Sequence, residues 1–356
     1  MKILSRRSSK LYCYTVPKGC DPREEVPEGL QKEELFRGSE VAASEPTVSV
    51  IIAAYNVSEF IGETVESVFA QTFRAYEVIV VNDGSEDRSE LERVLEPYRE
   101  RIIYITQENQ GLAASRNRGL REARGEYAAF LDADDVWLPT YLEEQLDFIR
   151  RGDYDLVYSD ALLFGDSPLA GQTFMETAPS RGPVTFESLV SAECNVIGSG
   201  VVARRRKLFD AGLFDKGLRN SQDFDLWIRM VRMGARMAYQ RKVLLKYRYR
   251  EGSLSGDAAN RIARELRVLD KIETAYDLTP GERAQVSRAK DRIRATMELE
   301  NGKRHLARGE FAEARACFSK ANRSLKSWKL GAALLSLRIA PRLFMKVAKS
   351  RLPQDV

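Results

Sequence analysis

The stretch Tyr127-Ala-Ala-Phe-Leu-Asp-Ala-Asp-Asp135 decides the fold, because an apolar run passes directly into a cluster of carboxylates. The apolar run predicts a buried strand. Asp132, Asp134 and Asp135 follow it and would repel one another at the carboxyl end of that strand. Mg²⁺ or Mn²⁺ relieves such repulsion, and these ions usually bind few carboxylates together with substrate phosphates. The stretch therefore indicates a diphosphate held by a metal ion; the alternative is that Asp134 or Asp135 only caps the helix that follows.

The segments around this stretch alternate apolar runs with helical patterns. Residues 48–53, 76–81 and 102–105 are apolar runs that predict further strands, and apolar residues recur at helical spacing between them. Strands that alternate with helices form right-handed βαβ units and a largely parallel sheet. We therefore predict an α/β fold with a mostly parallel central sheet flanked by helices.

Polar residues follow three of the predicted strands. Tyr55-Asn56, Asn82-Asp83 and the carboxylate cluster each come directly after an apolar run. In open α/β sheets, ligands bind beyond the carboxyl ends of the strands. We therefore expect these three groups to form one site.

The composition narrows the class of protein. A chain of 356 residues with 44% hydrophobic and 30% charged residues can form one large globular domain with appendages. The net charge of +4 gives no indication of nucleic-acid binding. His305 is the only histidine and is distant in sequence from the carboxylates, which argues against a histidine-rich metal site.

Cysteine spacing and hydropathy favour a cytoplasmic protein. The four cysteines show no zinc-site spacing, and we expect them to be reduced thiols. No apolar stretch reaches the ~18–20 residues of a spanning helix, and the N-terminus lacks a signal-peptide pattern.

Changes in pattern divide the chain into three parts. Residues 1–46 are rich in charge, Pro and Gly, which predicts an extension that is partly disordered or packs on the domain. Residues 47–255 carry the alternating strands and helices. Residues 256–356 are predicted to be helical.

Three further motifs suit a phosphate or sugar ligand. Asn82-Asp83-Gly-Ser85 follows a strand, although Asp-Gly is also a common turn. The segment 109–119 opens a helix with small residues and two arginines, and both helix N-termini and arginines favour phosphate, unless the arginines are only solvated. Gln222-Asp223-Phe-Asp225 begins another helix, where either aspartate could interact only with the helix dipole.

Taken together and in order, five motifs resemble those of the family 2 glycosyltransferases, enzymes of the GT-A (Rossmann-like) fold. The resemblance covers about residues 46–255. The matching motifs are Val48-Ser-Val-Ile-Ile-Ala-Ala-Tyr-Asn56, Val80-Val-Asn-Asp-Gly-Ser85, Gln110-Gly111 with Ser115-Arg-Asn-x-Gly119, Leu131-Asp-Ala-Asp-Asp135, and Gln222-Asp-x-Asp-Leu-Trp-x-Arg229.

The resemblance implies a role for each matching residue. The residues that it assigns to the donor are Ala53, Ala54, Tyr55 and Asn56 around the nucleobase, Asp83 at a uracil or another pyrimidine, Arg116 near the base or diphosphate, and Asp132 at the ribose. Asp134, helped by Asp135, would hold Mn²⁺ or Mg²⁺ on the diphosphate. Asp223 matches the catalytic base.

The resemblance also implies a reaction. One sugar would pass, with inversion, from a nucleoside diphosphate sugar, a UDP-sugar by preference, to a hydroxyl of a glycan or lipid-linked acceptor in surface polysaccharide biosynthesis. The Gln-x-x-Arg-Trp signature of processive synthases is absent after Trp227, which favours one sugar per encounter.

Two residues depart from the family pattern. Gln222 stands where the family usually has glutamate. Arg250 stands where a histidine often follows, and it could bind the donor phosphate directly. These departures leave one alternative open, a catalytically weakened protein that binds nucleotide sugars. The helical tail leaves a second alternative open, an interaction protein that acts through that tail.

The C-terminal tail predicts contact with a membrane surface. Nine basic residues and no acidic residue lie between Lys320 and Leu352. One helical stripe is basic and the next is apolar; the basic one comprises Arg338, Arg342, Lys346 and Lys349, and the apolar one Leu335, Ile339, Leu343 and Val347. A basic amphipathic helix of this kind suits anionic lipid, here on the inner face of the cytoplasmic membrane, although it could also dock on the protein. Residues 306–321 resemble half of a tetratricopeptide unit, for which a plain helical hairpin is the favoured interpretation.

Overall fold

The computed structural model describes residues 2–7, 10–15, 33–42, 45–166, 168–218, 221–250 and 258–341. The chain divides into two compact units, Met1–Gly256 and Asp257–Val356.

The first unit is built on a mixed sheet. Its strands are β1 Lys2–Arg7, β2 Lys10–Thr15, β3 Glu33–Arg37, β4 Val48–Ala54, β5 Tyr76–Asn82, β6 Ile102–Thr106, β7 Tyr127–Asp132, β8 Val136–Trp137, β9 Leu156–Gly165, β10 Val201–Arg204 and β11 Met237–Tyr249. Their order across the sheet is β1-β2-β3-β6-β5-β4-β7-β10-β9-β11-β8.

Helices lie between these strands. They are α1 Ser39–Ala42, α2 Ile61–Phe69, α3 Arg88–Leu95, α4 Leu112–Glu122, α5 Tyr141–Arg151, α6 Phe174–Thr177, α7 Phe186–Val190, α8 Arg205–Asp210 and α9 Gln222–Arg232, with 3₁₀ turns at Glu96–Arg101 and Gly198–Gly200.

The four central strands are parallel. β4 pairs in parallel with β5 and β7, and β5 pairs in parallel with β6. Each step is a crossover through α2, α3 or α4, which is what a parallel pair requires. The predicted α/β fold with flanking helices is confirmed. The flanks of the sheet are mixed, because β3 and β10 join the central strands antiparallel, whereas β11 runs parallel to β9.

The N-terminal region contributes strands that the sequence pattern did not predict. β3 pairs with β6 in the register Leu35↔Ile105, and β2 and β1 follow outward. β3 has the sequence Glu-Glu-Leu-Phe-Arg and lacks an apolar run. Its strand conformation therefore depends on pairing with β6, which lies about 70 residues further along the chain and cannot be read from local periodicity.

Helix α2 positions the carboxylate cluster. Ile61, Val65 and Val68 are completely buried against the sheet, as their spacing predicts. From the same face, the Thr64 hydroxyl lies 3.0 Å from the carbonyl oxygen of Ala133 and 2.8 Å from that of Asp135. These contacts hold the turn after β7 against a rigid helix.

The segment between β9 and β10 packs against β9. The sequence predicts a loop at 164–184, and the structure places α6 within it. The Met175 N–H donates to Asp160 Oδ1 at 3.0 Å, and the Tyr158 hydroxyl lies 2.9 Å from Ser180 Oγ. Polar contacts thus attach this segment to β9.

The second unit is helical over the part of it that the structure describes. Its helices are α10 Ala258–Ala275, α11 Pro280–Ala307, α12 Phe311–Leu325 and α13 Trp328–Ile339. Leu306, Ala314, Phe318 and Leu337 form a buried apolar cluster. Within the described residues, no helix has the length and apolar composition needed to cross a bilayer. The predicted stripes beyond Ile339 lie outside the described residues.

Candidate functional site

The predicted site residues meet at the carboxyl ends of three parallel strands. β4 lies between β5 and β7, with Ala53 opposite both Val81 and Asp132, and Ala54 opposite Asn82. Asp83 continues directly from β5. The three polar groups that follow these strands therefore lie together at the carboxyl ends of the strands, where open α/β sheets bind ligands.

Asn56 ties the first two of these loops together. Its backbone has φ of +52°, a left-handed conformation that asparagine tolerates better than most residues. Its Oδ1 accepts the Glu86 N–H at 2.8 Å, and its own N–H donates to Ser85 Oγ at 3.1 Å. Tyr55 beside it is 44% exposed, so its ring is available to a flat ligand.

Asp83 organises the loop that leads into α4. Its Oδ1 accepts hydrogen bonds from Gln107 Nε2 at 2.6 Å and the Gln110 N–H at 3.0 Å, and its Oδ2 accepts the Gly111 N–H at 2.7 Å. A carboxylate has about four lone-pair positions, so these bonds leave little capacity for a ligand. The structure places Asp83 directly after β5, at the carboxyl end of that strand. Its carboxylate oxygens already accept hydrogen bonds from the Gln107 side chain and from two backbone N–H groups of the loop.

Arg116 and Asp132 form a largely buried ion pair at the centre of the site. Arg116 Nη2 lies 2.6 Å from Asp132 Oδ1. The guanidinium carbon lies 5.7 Å from the ring centroid of Phe130 and 5.5 Å from that of Phe214. Only 5% of the Arg116 side chain is exposed, against 32% of that of Asp132. Asp132 is therefore held in place from behind while part of its carboxylate faces solvent.

Asp223 approaches the same arginine from α9. A Cβ added at Gly198 would lie 3.4 Å from Asp223 Oδ2 and 3.5 Å from Arg116 Nη2, so both groups crowd this glycine. Burial raises the pKa of Asp223, the charge of Arg116 opposes that rise, and Asp132 adds to it. Asp223 is thus a carboxylate that binds a proton more readily than an ordinary aspartate, as a general base requires.

The turn Gly198–Gly200 belongs to the site, although no motif in the sequence predicts it. Ser199 Oγ accepts the Asp132 N–H at 3.0 Å, and the Ser199 carbonyl oxygen accepts Trp137 Nε1–H at 3.0 Å. The only sequence signal was a Gly-Ser-Gly triplet inside an apolar segment.

Asp225 has a different role from Asp223. It is fully buried, and its Oδ2 accepts hydrogen bonds from Arg229 Nε at 3.0 Å and Nη2 at 2.8 Å. Arg229 also donates to the carbonyl oxygens of Ala211 and Leu213. This pair anchors α9 to the turn after α8, which makes Asp225 a poor candidate for the base.

The last two carboxylates of the cluster face β11. Asp134 Oδ2 lies 2.9 Å from Arg250 Nε, and the Asp134 carbonyl oxygen accepts Arg248 Nε–H at 2.8 Å. Asp135 Oδ1 accepts the Arg248 N–H at 2.7 Å. Burial, and next the charge of Asp132, raise the pKa of both carboxyls. The cluster therefore carries the repulsion that the sequence indicates, and Arg250 offsets part of it at Asp134.

The residues present fit a divalent cation that takes only one or two ligands from the protein. Asp135 Oδ2 is buried and has no hydrogen-bond partner among the described residues. The described part of the chain contains no group of three or more His, Cys, Asp or Glu side chains placed to hold a metal. A site with one or two carboxylates leaves the remaining positions for water and phosphate, as Mg²⁺ and Mn²⁺ sites often do.

The capping alternative for these aspartates is wrong. Helix α5 begins at Tyr141 with Thr140 as its N-cap, and the Thr140 side chain makes no capping hydrogen bond. The side chain that accepts a first-turn N–H is Gln71, whose Oε1 lies 2.9 Å from the Leu142 nitrogen. Neither Asp134 nor Asp135 therefore serves that helix end.

The two departures from the family pattern have distinct surroundings. The Arg250 guanidinium lies against Asp134 and 5.2 Å from the ring centroid of Phe60, so it does reach the carboxylate cluster. Gln222 is 3% exposed, and its Oε1 has no partner among the described residues. Arg250 therefore makes a contact within the site, whereas Gln222 places a buried polar atom next to Asp223.

Comparisons with known proteins point to one family. The model of glycosyl transferase family 2 matches residues 49–210. An uncharacterized glycosyltransferase of Methanocaldococcus jannaschii is 31% identical over 215 residues, covering 57% of this chain and 71% of that protein. The Escherichia coli UDP-Glc:alpha-D-GlcNAc-diphosphoundecaprenol beta-1,3-glucosyltransferase WfaP is 29% identical over 229 residues, covering 63% of this chain and 86% of WfaP.

Some relatives are much longer than the matched region. An uncharacterized glycosyltransferase of Rickettsia conorii is 30% identical over 209 residues, which cover 57% of this chain but 34% of that protein. The match to these long relatives is thus to about a third of their length.

Solved structures share the fold. TarS 1–349 of S. aureus in complex with UDP-GlcNAc superposes with a TM-score of 0.57 at 20% identity, covering 86% of this chain and 91% of that one. The mannosyltransferase PcManGT of Pyrobaculum calidifontis, in complex with GDP-Man and Mn²⁺, gives a TM-score of 0.58 at 18% identity, covering 87% of each chain. With the sequence matches and the strand-end site, these comparisons show that the chain belongs to glycosyl transferase family 2.

Proposed function

We propose that this chain transfers one sugar from a nucleoside diphosphate sugar to a hydroxyl of a glycan or lipid-linked acceptor, with inversion. The observation that carries the proposal is the meeting of Asp223 with the Arg116–Asp132 ion pair at the strand ends. A proton-accepting carboxylate beside a fixed cation, at the edge where α/β sheets bind ligands, is the arrangement that the reaction needs.

A UDP-sugar is the favoured donor, and a lipid-linked sugar is the favoured acceptor. The name of WfaP specifies UDP-glucose and a diphosphoundecaprenol acceptor, and TarS was solved with UDP-GlcNAc. PcManGT was solved with GDP-Man, so a sugar donor with a purine base is the alternative to be tested. Tyr55 and the backbone around Ala53 and Ala54 are the surfaces against which the base would lie. An acceptor of that kind would bring the chain to the cytoplasmic face of a membrane.

A divalent cation is the proposed cofactor, as the Mn²⁺ of PcManGT supports. Asp134 is the principal proposed ligand, with Asp135 behind it. Such a cation would neutralise the charge of the leaving diphosphate.

The transfer itself would be a single displacement. The acceptor oxygen forms a bond to the anomeric carbon of the donor while the bond from that carbon to the diphosphate oxygen breaks, and its electron pair leaves with the nucleoside diphosphate. The acceptor proton passes to the Asp223 carboxylate. Attack from the side opposite to the leaving group inverts the anomeric centre, by analogy with single-displacement glycoside chemistry. The charge of Arg116 opposes the effect of burial on the pKa of Asp223 and so favours the ionised form that a base requires.

Arg250 is proposed to share the diphosphate charge with the cation. In the absence of a donor it neutralises Asp134. When donor and cation bind together, the guanidinium could exchange the carboxylate for a phosphate oxygen, since both are suitable bidentate partners for arginine.

A donor panel tests the proposal. Purified protein is incubated with UDP-Glc, UDP-GlcNAc or GDP-Man, Mn²⁺ and an acceptor sugar on a diphospholipid, and the product is analysed by NMR for its anomeric configuration. We expect an inverted product with a UDP-sugar, and product formation by Asp223→Asn that is slower by about 10²–10⁴-fold. A retained configuration would contradict the single displacement. Donor binding without transfer to any acceptor tried would favour the second function below.

Gln222 supports one second candidate, a protein that binds nucleotide sugars but turns them over weakly. Its amide oxygen is buried without a partner among the described residues, beside the proposed base. Under this alternative, Gln222→Glu should raise the rate of donor hydrolysis or transfer at least tenfold while donor affinity stays constant. A lower rate in Gln222→Glu would count against it.

A further inference from the structure

Helix α13 carries large apolar side chains on two opposite sides. Leu337 is 3% exposed, and Leu330 and Leu334 pack beside it on the apolar cluster of the second unit. On the other side, Trp328 is 78% exposed, Leu335 59% and Ile339 74%. The inner side therefore accounts for the packing of α13, and the outer side is left uncovered by the described helices of the second unit.

These three residues form one stripe, which we call the outer stripe. Leu335 is seven residues and Ile339 eleven residues beyond Trp328, and both separations return to the same side of a helix with about 3.6 residues per turn. Lys329 and Arg338 lie on the two flanks of the stripe. The Lys329 ammonium is 6.0 Å from the ring centroid of Trp328. The helix thus presents an apolar centre with a cation on each edge.

The exposure of the outer stripe is unusual for this chain. Trp328 and Ile339 are the two most exposed large apolar side chains in the described residues. Isolated exposed apolar residues need no explanation, but three large ones that share one side of a helix are typical of an interaction site.

Charge distinguishes between the partners that could cover it. Nine basic residues and no acidic residue lie between Lys320 and Leu352. Two copies of the chain that met through their outer stripes would bring cations of the same sign together, which opposes that contact. A surface that is apolar below and negatively charged above complements both the stripe and its flanks.

We propose that the outer stripe of α13 binds an anionic phospholipid bilayer, with Trp328, Leu335 and Ile339 below the headgroups and Lys329 and Arg338 among the lipid phosphates. Tryptophan favours that depth, and basic side chains extend from it to the phosphates. The helix has 12 residues and can lie in the interface but not cross it. This binding is independent of the proposed sugar transfer and is measured without donor or acceptor.

Vesicle co-sedimentation of the full chain tests the proposal. Vesicles of phosphatidylcholine with 30% phosphatidylglycerol are compared with pure phosphatidylcholine at low and high salt. We expect binding to the anionic vesicles only, and weaker binding at high salt, because salt screens the attraction. The variant Trp328→Ser/Leu335→Ser/Ile339→Ser should bind at least tenfold more weakly. The matched control is Leu169→Ser/Met233→Ser, which removes exposed apolar side chains from the first unit and should bind like the unmodified chain.

Tryptophan fluorescence gives a second, direct measurement. Trp137 and Trp227 are each 2% exposed, so a change on adding vesicles reports mainly Trp328. Anionic vesicles should shift the emission to shorter wavelength and protect it from acrylamide. Trp328→Phe should retain vesicle binding and lose the shift.

Three results would overturn the proposal. The first is equal binding to neutral and anionic vesicles. The second is undiminished binding by the triple variant, whose folding is verified by circular dichroism. The third is a dimer in sedimentation velocity that the triple variant converts to a monomer, without vesicle binding by either protein; this result would assign the outer stripe to a second copy of the chain.

Discussion

At the scale of single residues, the environment of Asp223 separates it from the other carboxylates of the site. It lies beside Arg116, whose charge opposes the rise in pKa that burial causes. Asp132 instead pairs directly with Arg116, Asp134 pairs with Arg250, and Asp225 is held by Arg229. These differences lead to distinct predictions for each residue.

Asp223→Asn is expected to lower kcat by about 10²–10⁴-fold, the usual contribution of a general base. Donor KM should change little, because the amide preserves the shape of the side chain while it removes the charge and the oxygen that accepts the proton. Initial-rate kinetics with saturating acceptor measure both constants. Near-normal turnover in this variant would move the base to another residue.

The pH profile of kcat/KM should show the raised pKa of Asp223. The base works in its ionised form, so activity is lost as pH falls through that pKa. Because burial raises it, the acid limb should lie above the ~3.9 of a free aspartate. Arg116→Met removes the opposing charge and should move the limb to still higher pH. A limb at or below the value for a free aspartate would contradict this assignment.

Arg250→Ala is expected to raise donor KM and to make activity more dependent on metal concentration, because the diphosphate loses a second cation. Titration calorimetry of Mn²⁺ into the donor-free variant should show tighter binding than in the unmodified chain, since Asp134 loses its resident partner. Arg250→His should recover much of the lost donor affinity. Normal transfer by Arg250→Ala at limiting Mn²⁺ would make this arginine a surface residue only.

At the scale of elements, the site depends on how α9 and the loop before α4 are held. α9 presents Asp223 from its first turn, while Asp225 in the same turn fastens the helix to the chain after α8. The loop before α4 folds around Asp83.

Asp225→Asn is expected to reduce the free energy of unfolding by about 3 kcal/mol, because it leaves the Arg229 guanidinium without its buried countercharge. Chemical denaturation followed by circular dichroism measures this loss. Turnover per folded molecule should remain well above that of Asp223→Asn. Equal stability with a large loss of kcat would reverse the roles of the two aspartates.

Gly84→Ala is expected to destabilise the protein and raise donor KM. Gly84 has φ of +74°, and an added Cβ would lie 2.7 Å from the Asn109 backbone nitrogen. Gly182→Ala is the matched control, because its φ is +75° but nothing lies within 4 Å of the added Cβ. Both variants bear the backbone cost of about 1 kcal/mol, and only Gly84→Ala should lose more. Equal melting temperatures in the two variants would show that the loop moves away without cost.

At the scale of the whole molecule, each of the two units has its own apolar core. The core of the first unit lies around the central sheet, and that of the second around Leu306, Ala314, Phe318 and Leu337. Separate cores predict separate unfolding.

Phe318→Ala should shift the calorimetric transition of the second unit to lower temperature and leave the transition of the first unit unchanged. Phe318 is 4% exposed and packs against Gly302, so its truncation should cost the second unit about 3–5 kcal/mol. Sugar transfer to a water-soluble acceptor should persist between the two transitions. A single transition that shifts as a whole would show that the units unfold together.

The sequence by itself determined the central α/β sheet and the strand ends that carry the site. Apolar runs of strand length and helical spacing are local properties, and each polar motif follows its strand directly. The resemblance to family 2 glycosyltransferases follows from the same local motifs.

Only the tertiary structure decided which charges meet and which faces remain open. Arg250 and Asp134 are 116 positions apart in the chain, and Gly198 meets Asp223 and Arg116 from three different segments. β3 becomes a strand because β6 offers an edge, and Asp83 serves the loop before α4 because that loop folds over it. The outer side of α13 is exposed, whereas its inner side packs on α12 and on the apolar cluster of the second unit. Such contacts depend on distances in space, which the periodicity of a sequence does not contain.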